Sequence, residues 1–412
     1  MIAALASGSG KTTIARGLMA LLTARGYRVQ PFKCGPDYID TKFHEAVCHR
    51  PSINLDTAMA PPAHVEAIFE RYGKDADICV AEGMMGLYDG YRQASGSSAE
   101  IARVLGMPIV LVADAKSTAW SMAPLLWGFV NFWKSLRFVG VIFNRVGSPR
   151  HYEMLREACR HVGVACLGYL PKSAALEQGS RYLGLDFSQR AETKELLRLL
   201  EEHIDLERLL QGSVRQEPEC RQRLRLPKPL AQHLVVARNA EAFSFIYQEN
   251  LDRYSRVSFF DPERDVPALK AGDLLYLPGG YPEKHLEALT ANGAAREAIR
   301  RHAEQGGRIV AECGGMMYLC DRIVTDEGAF PMCGVISAGI TARKADRKLS
   351  LGYRYFELDG VKYRGHEFHY TQFEGQPPAS AAQVYDANNR PVATPVIRQQ
   401  NVLASYTHLY HI

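Results

Sequence analysis

The segment that most restricts this chain is its first turn, Ser7-Gly8-Ser9-Gly10-Lys11-Thr12-Thr13. A short apolar run, Met1 to Ala6, leads into it, and a helical pattern follows with Ile14, Leu18, Leu21 and Leu22 on one face. Strand, glycine-rich turn, lysine, hydroxyl and helix is the layout of a phosphate-binding loop. Its glycines let backbone N–H groups close around phosphate oxygens, its lysine meets the terminal phosphates, and a threonine hydroxyl can hold Mg²⁺. Gly8, Gly10, Lys11, Thr12 and Thr13 are therefore the expected ATP-binding residues. The strict pattern asks for glycine six residues before Lys11, where this chain has Leu5.

Beyond the loop, apolar strands alternate with helical segments. The strands are Tyr27–Lys33, Asp77–Ala81, Pro108–Ala113, Phe138–Phe143 and a weaker one over Val164–Leu170. Continuous apolar strands spaced by helices predict a parallel sheet covered on both faces, with ligands at the carboxyl ends of its strands. Asp37, Glu82 and Asp89 follow such strands within a few residues. With Lys11 and Thr12 they can line one crevice, and Thr12, Asp37 and Glu82 form the expected Mg²⁺ set. A strand-end aspartate is also a common turn or cap residue. Asn144, at another strand end, is expected either to read the adenine edge or to serve a turn. ATPases that position cell components carry a second lysine five residues before the main one; Ala6 stands there.

A charged helical stretch spans 192–210. Residues 211–232 read as a linker, and a second α/β unit starts at His233 with strands at Leu234–Ala237, Arg256–Phe260, Asp273–Leu277 and Arg308–Ala311. Short alternating strands follow residue 350, among them Tyr353–Leu358 and Arg364–Tyr370. The expected organisation is a first domain over 1–210, a linker over 211–232 and a second domain over 233–412.

In the second domain, Arg308 to Ala311 reads as a strand that runs through Glu312 into Cys313-Gly314-Gly315 and a helix. This is the layout of a nucleophile elbow, and a helix N-terminus favours thiolate. A cysteine nucleophile needs a base. The C-terminal segment offers His408, with His411 next. Leu277-Pro278-Gly279-Gly280 is a second glycine turn after a strand, and backbone N–H groups near Gly280 and Gly314 are the expected oxyanion hole. His366-Glu367-Phe368-His369 looks metal-like. It lacks the helical spacing of a zinc motif, and strand alternation puts its histidines on opposite faces.

The 412-residue chain has a net charge of +4 and no block of like charge, so nucleic acid is not implied. Its nine cysteines are scattered without a CxxC pair, which argues for a reducing, cytoplasmic setting. No apolar run is long enough to span a bilayer, so no membrane partner is expected. The opening strand is short enough that a few residues before it are expected to be missing.

Taken together, these segments resemble the cobyrinate a,c-diamide synthase family, which includes hydrogenobyrinate a,c-diamide synthases. The likeness is carried by Ser7 to Thr13, Pro31 to Asp40, Asn54-Leu55-Asp56, Glu82 to Gly90, Gly279 to Glu283, Ala311 to Gly315, Arg364 to Tyr370 and Ala404 to His408. The family also lacks glycine at the place of Leu5. The resemblance implies an α/β fold in two parts: a phosphate-loop, parallel-sheet synthetase domain like dethiobiotin synthetase, then a class I glutamine amidotransferase domain of flavodoxin-like architecture. It implies ATP- and glutamine-dependent amidation of the a and c acetate carboxylates of a corrin, with Mg²⁺ and through acyl phosphates. A nickel-sirohydrochlorin substrate and a nucleotide switch with an inactive amidotransferase part are the alternatives.

Cys313 would be the amidotransferase nucleophile and His408 the group that raises its nucleophilicity. Asp37, Tyr38, Ile39 and Asp89 would serve the substrate and its activation. A shielded path for ammonia between the two sites is expected, and a homodimer is left open. Ordinary class I amidotransferases carry a glutamate two residues after the histidine. Here Tyr410 stands there, so that place offers no third triad member.

Overall fold

A computed structural model describes residues 1–173, 190–215 and 231–410. The chain divides into two compact units, Met1–Leu224 and Arg225–Ile412. The expected linker falls mainly on residues outside those described, and His411 lies outside them too. At residue 210 the chain is helical, within Leu206–Gly212.

The first unit is built on a seven-stranded sheet: β1 Ile2–Ala4, β2 Val29–Cys34, β3 Ile53–Leu55, β4 Ile78–Glu82, β5 Ile109–Asp114, β6 Phe138–Val146 and β7 Cys166–Pro171. Their order is β3-β2-β4-β1-β5-β6-β7, and every neighbouring pair is parallel. Helix α1 (Lys11–Ala24) lays the Ile14, Leu18 and Leu22 face against Ile2, Val110 and Ile142. Helix α2 (Asp40–Cys48) starts just beyond the end of β2. Because all strands run the same way, the phosphate loop after β1, Asp37 after β2 and Glu82 at the end of β4 share one rim.

The second unit holds a six-stranded sheet. Its core is β8 His233–Ala237, β9 Arg256–Phe260, β10 Leu274–Leu277 and β11 Arg308–Glu312. A four-stranded sheet follows, from β12 Cys320–Thr325, β13 Gly328–Pro331, β14 Ile336–Thr341 and, later, β17 Gln372–Glu374. A five-stranded sheet uses β15 Ser350–Leu358, β16 Val361–His369, β18 Val384–Asp386, β19 Pro391–Val392 and β22 His408–Leu409. Strands β20 Val396–Gln399 and β21 Val402–Ser405 return to the first sheet, in the order β20-β21-β11-β10-β8-β9. Alternation along the central strands fills both faces. Val235, Leu275 and Ile309 enter one apolar cluster, and Leu234, Leu274 and Val310 the other. Neither face is left for water, so the strands read as apolar runs.

Candidate active sites

The phosphate loop has the backbone its glycines predict. Gly8 and Gly10 have φ of +78° and +89°. A Cβ on Gly10 would lie 2.0 Å from Asn144 Nδ2, so only glycine fits there. Asn144 Nδ2 donates to Ser9 O at 2.9 Å, and the Arg145 guanidinium donates to Gly8 O at 3.0 Å. Asn144 Oδ1 also accepts from Arg145 N at 3.0 Å, so its described bonds support the loop and its own strand end.

Glu82 organises the rim. Its side chain is fully buried, and register pairs it with Lys33 on one side and Ile2 on the other. Glu82 Oε1 accepts from Thr12 Oγ1 at 2.6 Å, Lys33 Nζ at 3.0 Å and Lys11 Nζ at 3.2 Å. Glu82 Oε2 accepts from His44 Nε2 at 2.8 Å, and His44 Nδ1 meets Ser52 Oγ at 3.0 Å. Lys33 also forms an ion pair with Asp40. Burial opposes charge on Glu82, but Lys33, the His44 hydrogen bond and Lys11 outweigh it and hold the carboxyl well below its usual range. Burial disfavours the Lys33 ammonium too, and Glu82, Asp37 and Asp40 overcome that and raise its pKa. Burial, and then Glu82, push Asp40 up to about 6.

Lys11, Thr12 and Glu82 are brought together as the sequence predicts. Lys33, Asp40 and His44 join them, and sequence reasoning had not singled these out. The available signal was a lysine inside a wholly buried strand. Asp37 Oδ1 caps α2, accepting from the backbone N–H of Ile39 at 2.8 Å and Asp40 at 2.9 Å. Tyr38 is buried, and Ile39 is partly exposed beside it. Asp89 is exposed, and its described bond closes its own turn, from Gly86 N at 2.9 Å. The cap and turn readings of Asp37 and Asp89 are thus realised, whatever else these carboxylates do.

No cluster of three or more His, Cys, Asp or Glu side chains suited to a metal occurs among the described residues. A Mg²⁺ ion bound with nucleotide needs less, since phosphate oxygens and water complete its shell. The Thr12 hydroxyl and Glu82 carboxylate, both hard oxygen donors within hydrogen-bond reach of each other, fit that role. Asp37, Asp40 and Glu82 face Lys11 and Lys33 in this cluster, and His44 also meets Glu82.

In the second unit Cys313 sits between β11 and the helix Gly314–Leu319 with φ +45° and ψ −109°. Such a backbone costs about 1–3 kcal/mol in a non-glycine residue and marks functional turns. The following glycines let the turn approach β10. A Cβ on Gly315 would lie 2.0 Å from Leu277 O, and one on Gly314 would lie 2.8 Å from Gly280 O. Gly280 and Gly314, the expected oxyanion pair, are therefore adjacent. His408 packs on the same turn: a Cβ on Gly279 would lie 2.0 Å from His408 Cε1. Cys313 Sγ lies 3.8 Å from Phe368 O.

The electrostatics correct one expectation. Thiolate character at Cys313 was expected from the helix dipole. Burial instead pushes the thiol up, and the charge of Glu283 adds to this. Burial likewise pushes His408 down to about 3, with His366 and His369 adding to it. The helix is only six residues long, too short for its dipole to offset desolvation. Burial thus favours the thiol at Cys313 and the neutral imidazole at His408.

The His366–His369 segment lies on β16, with Glu367 and His369 buried and His366 partly exposed on the other face. His369 has both ring nitrogens engaged, with Glu367 Oε1 and Thr371 O at 2.8 Å each. Arg354 Nε donates to Glu367 Oε2 at 2.7 Å, and the His369 ring stacks on Tyr406 at 3.6 Å. Both ring nitrogens of His369 are thus taken up by neighbouring oxygens.

Two family models match the chain: the CobQ/CobB/MinD/ParA nucleotide binding domain over residues 1–184, and the CobB/CobQ-like glutamine amidotransferase domain over residues 235–411. Among curated proteins, the hydrogenobyrinate a,c-diamide synthase of Brucella anthropi is 39% identical, over 99% of this chain and 97% of its own length. The chain belongs to the cobyrinate and hydrogenobyrinate a,c-diamide synthase family. The cobyrinate a,c-diamide synthase of Streptococcus sanguinis is 36% identical, over 100% of this chain and 95% of its own length. A solved glutamine amidotransferase is 21% identical over 42% of this chain and 89% of its own, at a TM-score of 0.30. No helix among the described residues is long and apolar enough to cross a membrane.

Proposed function

We propose that this chain uses ATP and glutamine to amidate the a and c acetate carboxylates of cobyrinate or its metal-free counterpart. The observation that carries the reading is the Lys11–Thr12–Glu82 cluster at a phosphate loop, in one chain with a strained Cys313 elbow and with His408 packed on the neighbouring Gly279 turn. The names of the family's members supply the substrate. Residues 1–210 are assigned to the amidoligase part, 211–232 to the linker and 233–412 to the amidotransferase part.

Glutamine hydrolysis starts from the neutral pair. His408 takes the Cys313 proton as Sγ attacks the side-chain amide carbon. Backbone N–H groups near Gly280 and Gly314 receive the oxyanion. His408 then gives the proton to the leaving nitrogen, the C–N bond breaks, and ammonia departs. Water later cleaves the thioester to glutamate, with His408 again as base.

In the first unit, Gly8, Gly10, Lys11, Thr12 and Thr13 cradle ATP. A substrate carboxylate oxygen bonds to the γ-phosphorus, and the bond from that phosphorus to ADP breaks. Lys11 stabilises the charge that develops. Thr12 and Glu82 would hold Mg²⁺, whose chemistry there is to neutralise phosphate charge. Asp37, Tyr38, Ile39 and Asp89 are assigned to the substrate side. The acyl phosphate then yields to ammonia, which displaces phosphate and leaves the amide; a free carboxylate would not react in this way. The eight cysteines among the described residues are all free, which supports a cytoplasmic setting.

The test is product analysis with cobyrinate, hydrogenobyrinate or nickel-sirohydrochlorin, each with ATP, Mg²⁺ and glutamine. A doubly amidated corrin is expected. Amidation of nickel-sirohydrochlorin alone, or glutamine cleavage without any amidation, would overturn the reading.

A further inference from the structure

His408 lies on a two-residue strand, and the place where class I amidotransferases keep an orienting glutamate holds Tyr410. Tyr410 is buried, and its ring meets Tyr247 edge-on at 5.3 Å. The imidazole must still be held to Cys313, because a displacement of about 1 Å costs on the order of 100-fold in rate.

The structure contains a clamp that does this through the backbone. Leu409, the next residue, donates its N–H to Glu312 Oε1 at 2.9 Å, and its carbonyl accepts from Asn250 Nδ2 at 3.0 Å. Glu312 is the residue immediately before Cys313. Its other oxygen, Oε2, is 2.7 Å from the Tyr276 hydroxyl. Glu312, Asn250 and Tyr276 are 1%, 0% and 0% exposed. Alternation gives the arrangement its sense. Tyr276 and Leu409 belong to one apolar cluster of the six-stranded sheet and Cys313 to the other. Glu312 therefore reaches the far side of the sheet, while its neighbour Cys313 reaches the reacting side. Leu409 and His408 divide in the same way, with His408 over Gly279.

We propose that Glu312 is a positioning residue for His408, acting through the Leu409 peptide rather than on the imidazole itself. The carboxylate that precedes the nucleophile fixes the peptide that follows the base, so the two reacting groups are set by one short bridge. A buried carboxylate is costly to keep, and burial pushes Glu312 up to about 8. The bridge survives protonation, since Oε1 accepts from Leu409 in either state and the Tyr276 hydroxyl can donate or accept. An apolar residue there would leave the Leu409 N–H and the Tyr276 hydroxyl without this acceptor.

This inference rests on Cys313 and His408 being the glutaminase pair, and the experiment separates the two claims. Full-length Glu312→Leu and Glu312→Gln are assayed for corrin amidation with glutamine and, separately, with ammonium. Glutamine retains a carbonyl oxygen for the Leu409 N–H; leucine does not. In Glu312→Leu the ratio of glutamine- to ammonium-supported kcat is expected to fall about 100-fold, with KM for glutamine within about threefold of the parent. Glu312→Gln is expected to keep that ratio within about fivefold. Equal damage by Leu and Gln, or an unchanged ratio in Glu312→Leu, overturns the proposal. If Glu312→Leu does not fold, Asn250→Ala releases the other end of the clamp; its ratio should fall at least about tenfold, and an unchanged ratio overturns the proposal. Glutamine use that survives Cys313→Ala would instead overturn the assignment of the pair.

Discussion

Lys33 and Glu82 meet at 3.0 Å across the neighbouring strands β2 and β4, with side chains 2% and 0% exposed. Parallel register places them side by side, and Lys11 and Thr12 reach the same carboxylate from the phosphate loop. Lys33 is thus a structural condition for a charged Glu82 inside the unit.

Lys33→Met should therefore leave Glu82 and Asp40 undercompensated. Breaking one partner of a buried pair costs about 3–5 kcal/mol. Lys11 and His44 remain on Glu82, so the lower end is expected. Urea unfolding of the variant against the parent measures it, and a change below about 1 kcal/mol would show that the pair is not a stabilising unit.

Glu82→Gln removes the charge that Thr12, Lys11, Lys33 and His44 share. Ammonium-supported amidation should fall at least about 100-fold, while Cys313 still forms its thioester with glutamine. Asp37→Asn should likewise remove ATP-dependent amidation and leave the thioester step. Turnover at the parent rate in either variant would refute the carboxylate site.

Cys313→Ala should abolish glutamine-supported amidation, by at least about 1,000-fold, and retain amidation supplied with ammonium. Rates measured with each nitrogen source check this. Loss of both would contradict the division of labour between the units.

The neutral resting pair makes a pH prediction. In enzyme without glutamine, alkylation of Cys313 followed by mass spectrometry should accelerate about tenfold per pH unit between pH 7 and 9, with no plateau. A plateau at neutral pH would mean a preformed thiolate–imidazolium pair. The stability effect has the matching sign. His408 binds its proton at 6.5 ordinarily and at about 3 when buried, so its contribution is complete above 6.5 and is lost as pH falls towards 3. An acid limb of unfolding unchanged in His408→Asn would count against a buried neutral imidazole.

Much of this was legible in the sequence because it depended on local order. The apolar runs β5 and β11, the loop Ser7 to Thr13 and the Cys313-Gly314-Gly315 elbow each contain their own signal. Lys33 and His44 were not legible as partners of Glu82. Their contact arises from strand register and from α2 folding back, and neither is written in spacing. Glu312 was overlooked for the same reason, since Leu409 is far away along the chain. The four-stranded sheet escaped notice because β12 starts directly after the helix Gly314–Leu319 with no turn residue between them. The thiolate expectation failed on magnitude: the helix was real, but short and deeply buried.

The parallel running of the strands has one more consequence. Each unit gathers its reacting groups on the carboxyl rim, so the turns at the amino rim carry none of the chemistry. Gly26 and Gly163, in the turns that enter β2 and β7, have φ of +87° and +79° and open space beyond a built Cβ. Their surroundings are the natural anchor points for a fluorophore or a surface tether, where an attachment would leave the phosphate-loop rim of the first unit facing away from it.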